Sequence, residues 1–204
     1  MKMLIAGSGN MARGIGTRAL AGGHRLRIAD REPSKAESLA AELGSGATGE
    51  RLAEVGDADL VILATPYQGS LEVAREWTGQ LDGKVLVDIC NPVDPTTFDG
   101  LVTPTGVSAA EEIAGAAPTA SVVKAFNTTF AGRLTGSDSL DVFIAGDDEG
   151  ACTTVASLCE DGGLRPIRVG GLAHAGALES FQLLHMKVQD QIEGNWMTAI
   201  AFER

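Results

Sequence analysis

An α/β fold built on a doubly wound, mostly parallel sheet is predicted by three observations. Short apolar runs alternate with helical patterns along the chain, the signature of βαβ units. Several of those runs, such as Leu60-Val61-Ile62-Leu63-Ala64, are apolar without alternation, as strands buried on both faces are. The first run, Met3-Leu4-Ile5-Ala6, leads straight into Gly7-Ser8-Gly9-Asn10-Met11-Ala12, a G-x-G-x-x-G/A spacing. That spacing between a strand and a helix is the mark of a Rossmann-type sheet.

The elements follow in order. Met3–Ala6 is the first strand, and Asn10 to Leu20 is a helix closed by Gly22-Gly23. Arg25–Ala29 is the second strand. Pro33 opens a helix running to about Leu43, with proline in the first turn, where its missing N–H costs nothing. Gly44 to Gly49 has room for a short edge strand at most. Further strands are expected at Leu60–Ala64, Lys84–Ile89, Ser121–Phe126, Leu140–Ala145 and Arg165–Val169. Cys90 to Gly106 holds three prolines and little periodicity, which predicts a long loop of functional interest. From Ala173 onward the chain is expected to be helical, with Leu178, Phe181, Leu184, Val188 and Ile192 recurring at spacings of three and four as one apolar stripe. Residues 1–204 are therefore expected to form a single NAD(P)-binding domain. Residues 1–170 would be the dinucleotide-binding core, and 171–204 C-terminal helices packing on the core or on a partner subunit in a homodimer.

Composition narrows the function. The chain of 204 residues is 44% hydrophobic and 21% charged, with a net charge of −11, which disfavours nucleic acid and anionic membrane surfaces as partners. A phosphate-bearing cofactor is still compatible, because backbone N–H groups can hold one locally. No apolar run approaches the ~20 residues of a membrane span, and the first residues do not read as a signal peptide. Cys90, Cys152 and Cys159 form no CxxC and predict free buried thiols in a reducing cytoplasm. His24, His174 and His185 lack metal-ligand spacing, so no metal is expected.

The glycine motif carries the chemistry. Gly7 permits the tight turn, Gly9 lets a diphosphate approach the backbone, and Ala12 lets the helix pack close to the sheet. Asp30, some 20 residues on, ends the second strand where a carboxylate can bind a ribose hydroxyl. Asp30 favours NAD, whereas Arg31 and Lys35 favour the 2′-phosphate of NADP, so both cofactors stay open. Three polar strand ends are expected to point into one crevice: Ala64-Thr65-Pro66, Cys90-Asn91-Pro92 and Ala125-Phe126-Asn127. Thr65 and Pro66 would flank the adenosine or the nicotinamide ribose. Asn91 and Asn127 would bond ribose or carboxamide, or else serve turn chemistry.

Four segments taken together resemble a known family. They are Gly7-Ser8-Gly9-Asn10-Met11, Asp30-Arg31 with Lys35, Lys124-Ala125-Phe126-Asn127-Thr128, and the tail from Leu178 through Leu183-Leu184-His185 to Met186. They resemble the coenzyme F420-dependent NADP oxidoreductases, and the reductase domain of the STEAP metalloreductases is similar. The likeness covers almost the whole chain. The glycine motif is generic, while the Lys-Ala-Phe-Asn-Thr run and the Leu-Leu-His are more specific.

The resemblance implies hydride transfer between NADP(H) and the deazaflavin F420 or a flavin-like acceptor. It implies that Ser8, Asn10 and Met11 hold the diphosphate and that Arg31 and Lys35 hold the 2′-phosphate. It also implies that Phe126 to Phe130 and the start of the final helix line the deazaflavin pocket. Asp30 stands where family members typically carry a small hydroxyl residue. Two stacked rings need no general acid poised over a carbonyl, and no catalytic residue is assigned. Lys124, inside a strand, is read as structural. His174 and His185 are candidates for ring contacts, or else surface and core residues. Pyrroline-5-carboxylate reductases and β-hydroxyacid dehydrogenases need a helical second domain, for which little chain remains after Val169. A non-catalytic dinucleotide sensor or regulatory subunit is the reading from a different class.

Overall fold

A computed structural model describes residues 1–94 and 96–202. Its strands are β1 (Lys2–Ala6), β2 (Arg25–Asp30), β3 (Thr48–Arg51), β4 (Leu60–Leu63), β5 (Val85–Asp88), β6 (Ser121–Lys124), β7 (Asp141–Gly146) and β8 (Arg165–Gly170). Its helices are α1 (Asn10–Ala21), α2 (Pro33–Leu43), α3 (Tyr67–Trp77), α4 (Ala109–Ala116), α5 (Ala131–Leu134), α6 (Glu149–Asp161) and α7 (Ala175–Lys187). All eight strands join one sheet in the order β3-β2-β1-β4-β5-β6-β7-β8. Every pairing is parallel except β6 with β7. The order reverses beside β1, whose neighbours are β2 and β4, and the carboxyl ends of β1 and β4 therefore open the crevice of a doubly wound sheet.

Burial explains the unbroken apolar strands. In β1, Met3 and Ile5 face one core with Ile15, Leu39 and Val155, while Leu4 and Ala6 face a second with Leu71, Trp77 and Ile113. Successive side chains point to opposite faces, and helices cover both, so no position of β1 beyond Lys2 can be polar. The short strand expected within Gly44 to Gly49 lies at Thr48–Arg51, as the sheet edge. α4 is a helix the apolar pattern alone did not mark. Ser108 and Glu111 close a full capping box at its start, with Glu111 N–H donating to Ser108 Oγ at 3.2 Å and Ser108 N–H to Glu111 Oε2 at 2.8 Å.

The C-terminal stripe is a correction. The final helix ends at Lys187, and its inner face is Ala175, Leu178, Glu179, Gln182 and His185. Phe181 and Leu184 are 42% and 60% exposed, and Ile192 lies beyond the helix and is also exposed. The cause is the buried Lys124 ammonium on β6. A buried charge needs a counter-charge, and the helix turns its Glu179 side inward to supply one. Among the described residues, no helix is long and apolar enough to cross a membrane.

Candidate functional site

The turn from β1 into α1 is built on two glycines. Gly7 has φ +114°, and a Cβ there would run into the carbonyl of Ala64 on the neighbouring strand end. Its N–H donates to Ala29 O at 2.7 Å. Only glycine meets both demands. At Gly9 nothing lies within 4 Å of where a Cβ would stand, so the backbone N–H groups opening α1 face free space. Such a surface fits an anionic diphosphate, because the helix N-terminus is the positive end of its dipole.

Asp30 braces this turn. Ser8 Oγ donates to one carboxylate oxygen at 2.6 Å, and Glu32 N–H donates to the other at 2.9 Å. Beside it lies a hollow of about 300 Å³ lined by Ser8, Arg13, Ser34, Lys35, Ser38 and Glu42. Lys35 is paired with Glu32 at 2.5 Å, and Arg13 with Glu42 at 2.7 Å. Arg31 points elsewhere, to Glu72 on α3 at 2.6 Å, and the carboxylate raises its already high pKa. Arg31 and Lys35 are thus engaged with different partners, and only Lys35 lines the hollow. Both are well exposed, so their present pairs are weak and exchangeable.

A second pocket, of about 390 Å³, adjoins the same turn. Asn10 and Met11 line it together with Asn91, Asn127, Phe130, Gln182 and Met186. Asn91 and Asn127 clasp each other. Asn91 Nδ2 donates to Asn127 O at 2.8 Å, and Asn127 Nδ2 donates to Asn91 Oδ1 at 3.0 Å and to Leu178 O at 3.1 Å. The strand ends after β5 and β6 and the helix α7 are thereby tied at one point. Asn127 Oδ1, Thr128 Oγ1 and Thr129 Oγ1 are buried and have no hydrogen-bond partner among the described residues. Asn127 and Thr129 line the pocket, and unsatisfied polar atoms at its wall are the chemistry of a place that receives a polar ring edge.

Behind this wall sits a buried charge cluster. Lys124 Nζ donates to Asp88 Oδ2 at 2.7 Å, Glu179 Oε1 at 2.8 Å and Cys90 O at 2.6 Å. All three charged side chains are fully buried. Burial by itself would lower the Lys124 pKa, but the two carboxylates outweigh it and hold the ammonium charged. Ala109 N–H donates to Glu179 at 3.1 Å. Burial pushes the Cys90 thiol far up, and it donates to Asp88 Oδ1 at 2.7 Å. It is a proton-bearing hydrogen-bond donor here, not a nucleophile.

The expected site residues divide accordingly. Asn10, Met11, Asn91 and Asn127 meet in the second pocket, and Ser8 and Lys35 in the hollow. Ala64, Thr65 and Pro66 do not line either. Ala64 backs Gly7, and Thr65 Oγ1 is bonded to Ser70 at 2.9 Å. Ala125 and Phe126 are core residues, and Phe126 has φ +60° where the chain turns out of β6. The helix face at the pocket is the middle of α7, through Gln182 and Met186, rather than its start. His174 is exposed, while His185 is buried with its ring 4.5 Å from that of Phe130. Sequence reasoning missed Arg13, Gln182 and the residues 195–197 that also line the pocket. Their only signal was an arginine and two amides near positions already marked. Cys90, Cys152 and Cys159 are free and buried. Among the described residues, no group of His, Cys, Asp or Glu could hold a metal ion.

Comparison with known proteins bears on this arrangement. Residues 2–92 match the family described as NADP oxidoreductase, coenzyme F420-dependent. The chain is 28% identical to an F420-dependent NADP reductase of Methanothermobacter marburgensis, with 93% of each covered. It is 30% identical to Metalloreductase STEAP3 of Rattus norvegicus over 89% of this chain, but it spans only 36% of that protein's length. A crystal structure from Arthrobacter sp. FB24, provisionally named an F420-dependent NADP-reductase, superimposes with a TM-score of 0.84 at 27% identity, covering all of both chains. The glycine turn, the sheet order and the likeness along its whole length agree, and the chain is similar throughout to the F420-dependent NADP oxidoreductases.

Proposed function

We propose that this protein is an oxidoreductase that moves a hydride between NADP(H) and a ring acceptor of the deazaflavin or flavin type, coenzyme F420 foremost. One observation carries the reading. Asn10 and Met11 of the dinucleotide turn line the same pocket as Phe130, Gln182 and Met186, so a nicotinamide entering from that turn would meet a second ring there. The bound nicotinamide supplies or receives the hydride, and a proton from solvent balances the acceptor's reduction. The chain's own part is to position two rings and exclude water.

In this reading Gly7, Ser8, Gly9, Asn10 and Met11 hold the diphosphate. Ala64, Thr65 and Pro66, with the backbone at Ala125 and Phe126, frame the crevice. Asn91 and Asn127 fix the ribose or carboxamide. Asp30 has both oxygens engaged in bracing the turn, which leaves Lys35 and Arg13 in the hollow, and Arg31 beside it, to meet a 2′-phosphate. That supports NADP, with NAD also accepted. The exposed Phe181 and Leu184 support a homodimer through α7, and the three unpaired thiols suit a cytoplasmic setting.

The test is an acceptor screen. Purified protein is given NADPH or NADH with F420, FMN, keto acids and imines, and absorbance follows cofactor oxidation. F420 is expected to turn over fastest, with NADPH. Turnover of a keto acid or imine, with none of F420 or flavin, would overturn the assignment.

A further inference from the structure

We propose that Trp196, carried on a clasped C-terminal strap, is a specificity-determining residue, and that Gln189 is the positioning residue that holds the strap. Trp196 and Phe130 would together form the aromatic wall that selects a flat ring acceptor. This rests on the pocket reading given above.

After α7 the chain turns back, and Asn195, Trp196 and Met197 line the pocket together with Gln182 and Met186 of that helix. The path is strained. Glu193, Asn195 and Trp196 have φ of 51°, 48° and 60°, three left-handed residues that are not glycine within four positions. Backbone of this kind persists only where its surroundings hold it. Gln189, only 2% exposed, does so with both ends of its amide. Its Nε2 donates to His185 O at 3.0 Å and to Thr198 Oγ1 at 2.8 Å, and its Oε1 accepts from Trp196 N–H at 3.2 Å. Thr198 Oγ1 also lies 2.7 Å from His185 Nε2, and Ala199 bridges to Thr129. A buried side chain that ties the end of α7 to one strained loop is there to fix that loop.

What the strap presents is chemically specific. The Trp196 ring stands edge-on to Phe130 with centroids 5.3 Å apart, yet the residue remains 46% exposed. An indole half open at a pocket rim gains most from a planar ring laid against it. Met197 packs its sulfur over Gly132, where any Cβ would overlap it, and Arg133 Nη1 donates to Met197 O at 3.1 Å. α5 separates the strap from α1, since Leu134 packs on Gly14 of α1 while Gly132 lies under Met197. The strap shares the pocket with Asn10 and Met11, but among the described residues no hydrogen bond joins it to the dinucleotide turn.

Trp77, the other tryptophan, is buried and emits to the blue of the half-exposed Trp196, so Trp196 is read at the red edge of the emission. Wild type, Trp196→Leu and Gln189→Ala are titrated with F420 and FMN, NADPH binding is measured by calorimetry, and acceptor KM and kcat are determined. F420 is expected to quench wild-type emission, and Trp196→Leu to lose that quench. Trp196→Leu is expected to raise acceptor KM about tenfold with NADPH affinity within about twofold. Gln189→Ala is expected to shift Trp196 emission to the red and to raise acceptor KM in the same direction. Quenching that persists in Trp196→Leu, or an unchanged acceptor KM there, overturns the proposal. So does an equal loss of NADPH and acceptor binding. Quenching by F420 without turnover instead overturns the hydride-transfer reading and leaves the strap standing.

Discussion

Lys124 Nζ and Glu179 Oε1 lie 2.8 Å apart, with both side chains fully buried, and they join the last residue of β6 to the second turn of α7. Three residues on from each partner stand Asn127 and Gln182, both in the pocket wall. The ion pair therefore sets where the wall lies relative to the strand ends, and it forces α7 to show its polar face inward.

Removing the cation should be the most damaging single change in the cluster. Lys124→Met leaves Asp88 and Glu179 buried without a counter-charge, at a cost of about 3–5 kcal/mol. For a chain of this size the melting temperature should fall on the order of 10 °C. Glu179→Gln should cost less, because the amide oxygen can still accept from Ala109 N–H and Lys124. Thermal and urea unfolding check the order. A Lys124→Met variant as stable as wild type would mean the cluster is not held together by charge.

At Gly9, unlike Gly7, the turn should be intolerant of a side chain for binding but not for folding. Gly9 has open space beside it, so Gly9→Val should fold and still lose dinucleotide affinity by at least about tenfold, since the branched side chain occupies the diphosphate's approach. Calorimetry on the folded variant decides. Unchanged affinity would remove the turn from the site.

Cofactor choice should respond to Glu72 as well as to Arg31. Arg31→Ala should weaken NADPH roughly fivefold and spare NADH, the modest loss expected of a solvent-screened pair. Glu72→Gln frees the Arg31 guanidinium from its present partner and should tighten NADPH without affecting NADH. The ratio of the two dissociation constants is the readout. Equal weakening of both cofactors in Arg31→Ala would make Arg31 an adenine-stacking residue with no part in selecting NADP.

Acid should loosen the strap. Burial lowers the His185 pKa below its ordinary 6.5. The unfolded chain then binds a proton at a pH where the folded chain still resists it, so the stability carried by neutral His185 is present above about 6.5 and declines as pH falls below it. Its ring contacts Phe130, Gln182 and Thr198. Melting temperature and Trp196 emission should both shift below pH 6.5. His24 is also lowered, by burial and by the N-terminal amine, so His185→Gln isolates the effect. The emission shift should be absent in that variant while part of the stability loss remains.

The sequence by itself determined the strands, because a sheet covered on both faces admits only unbroken apolar runs, and β1, β4 and β7 show them. It also determined the dinucleotide turn, since Gly7 and Gly9 answer local demands of backbone angle and space. Glu179, Gln182 and His185 were not legible as an inner face. Their polarity argues for solvent until a buried lysine on a distant strand requires a partner. The periodicity of Leu178, Phe181 and Leu184 marked a face that shares only Leu178 with the observed inner side of α7. Nor could spacing reveal that Gln189 holds Trp196 at the pocket, because that geometry depends on left-handed residues that no local pattern announces. Tertiary structure decided which side of the last helix is inside, and thereby which residues face the acceptor, because satisfying one buried charge outweighs exposing a few apolar side chains.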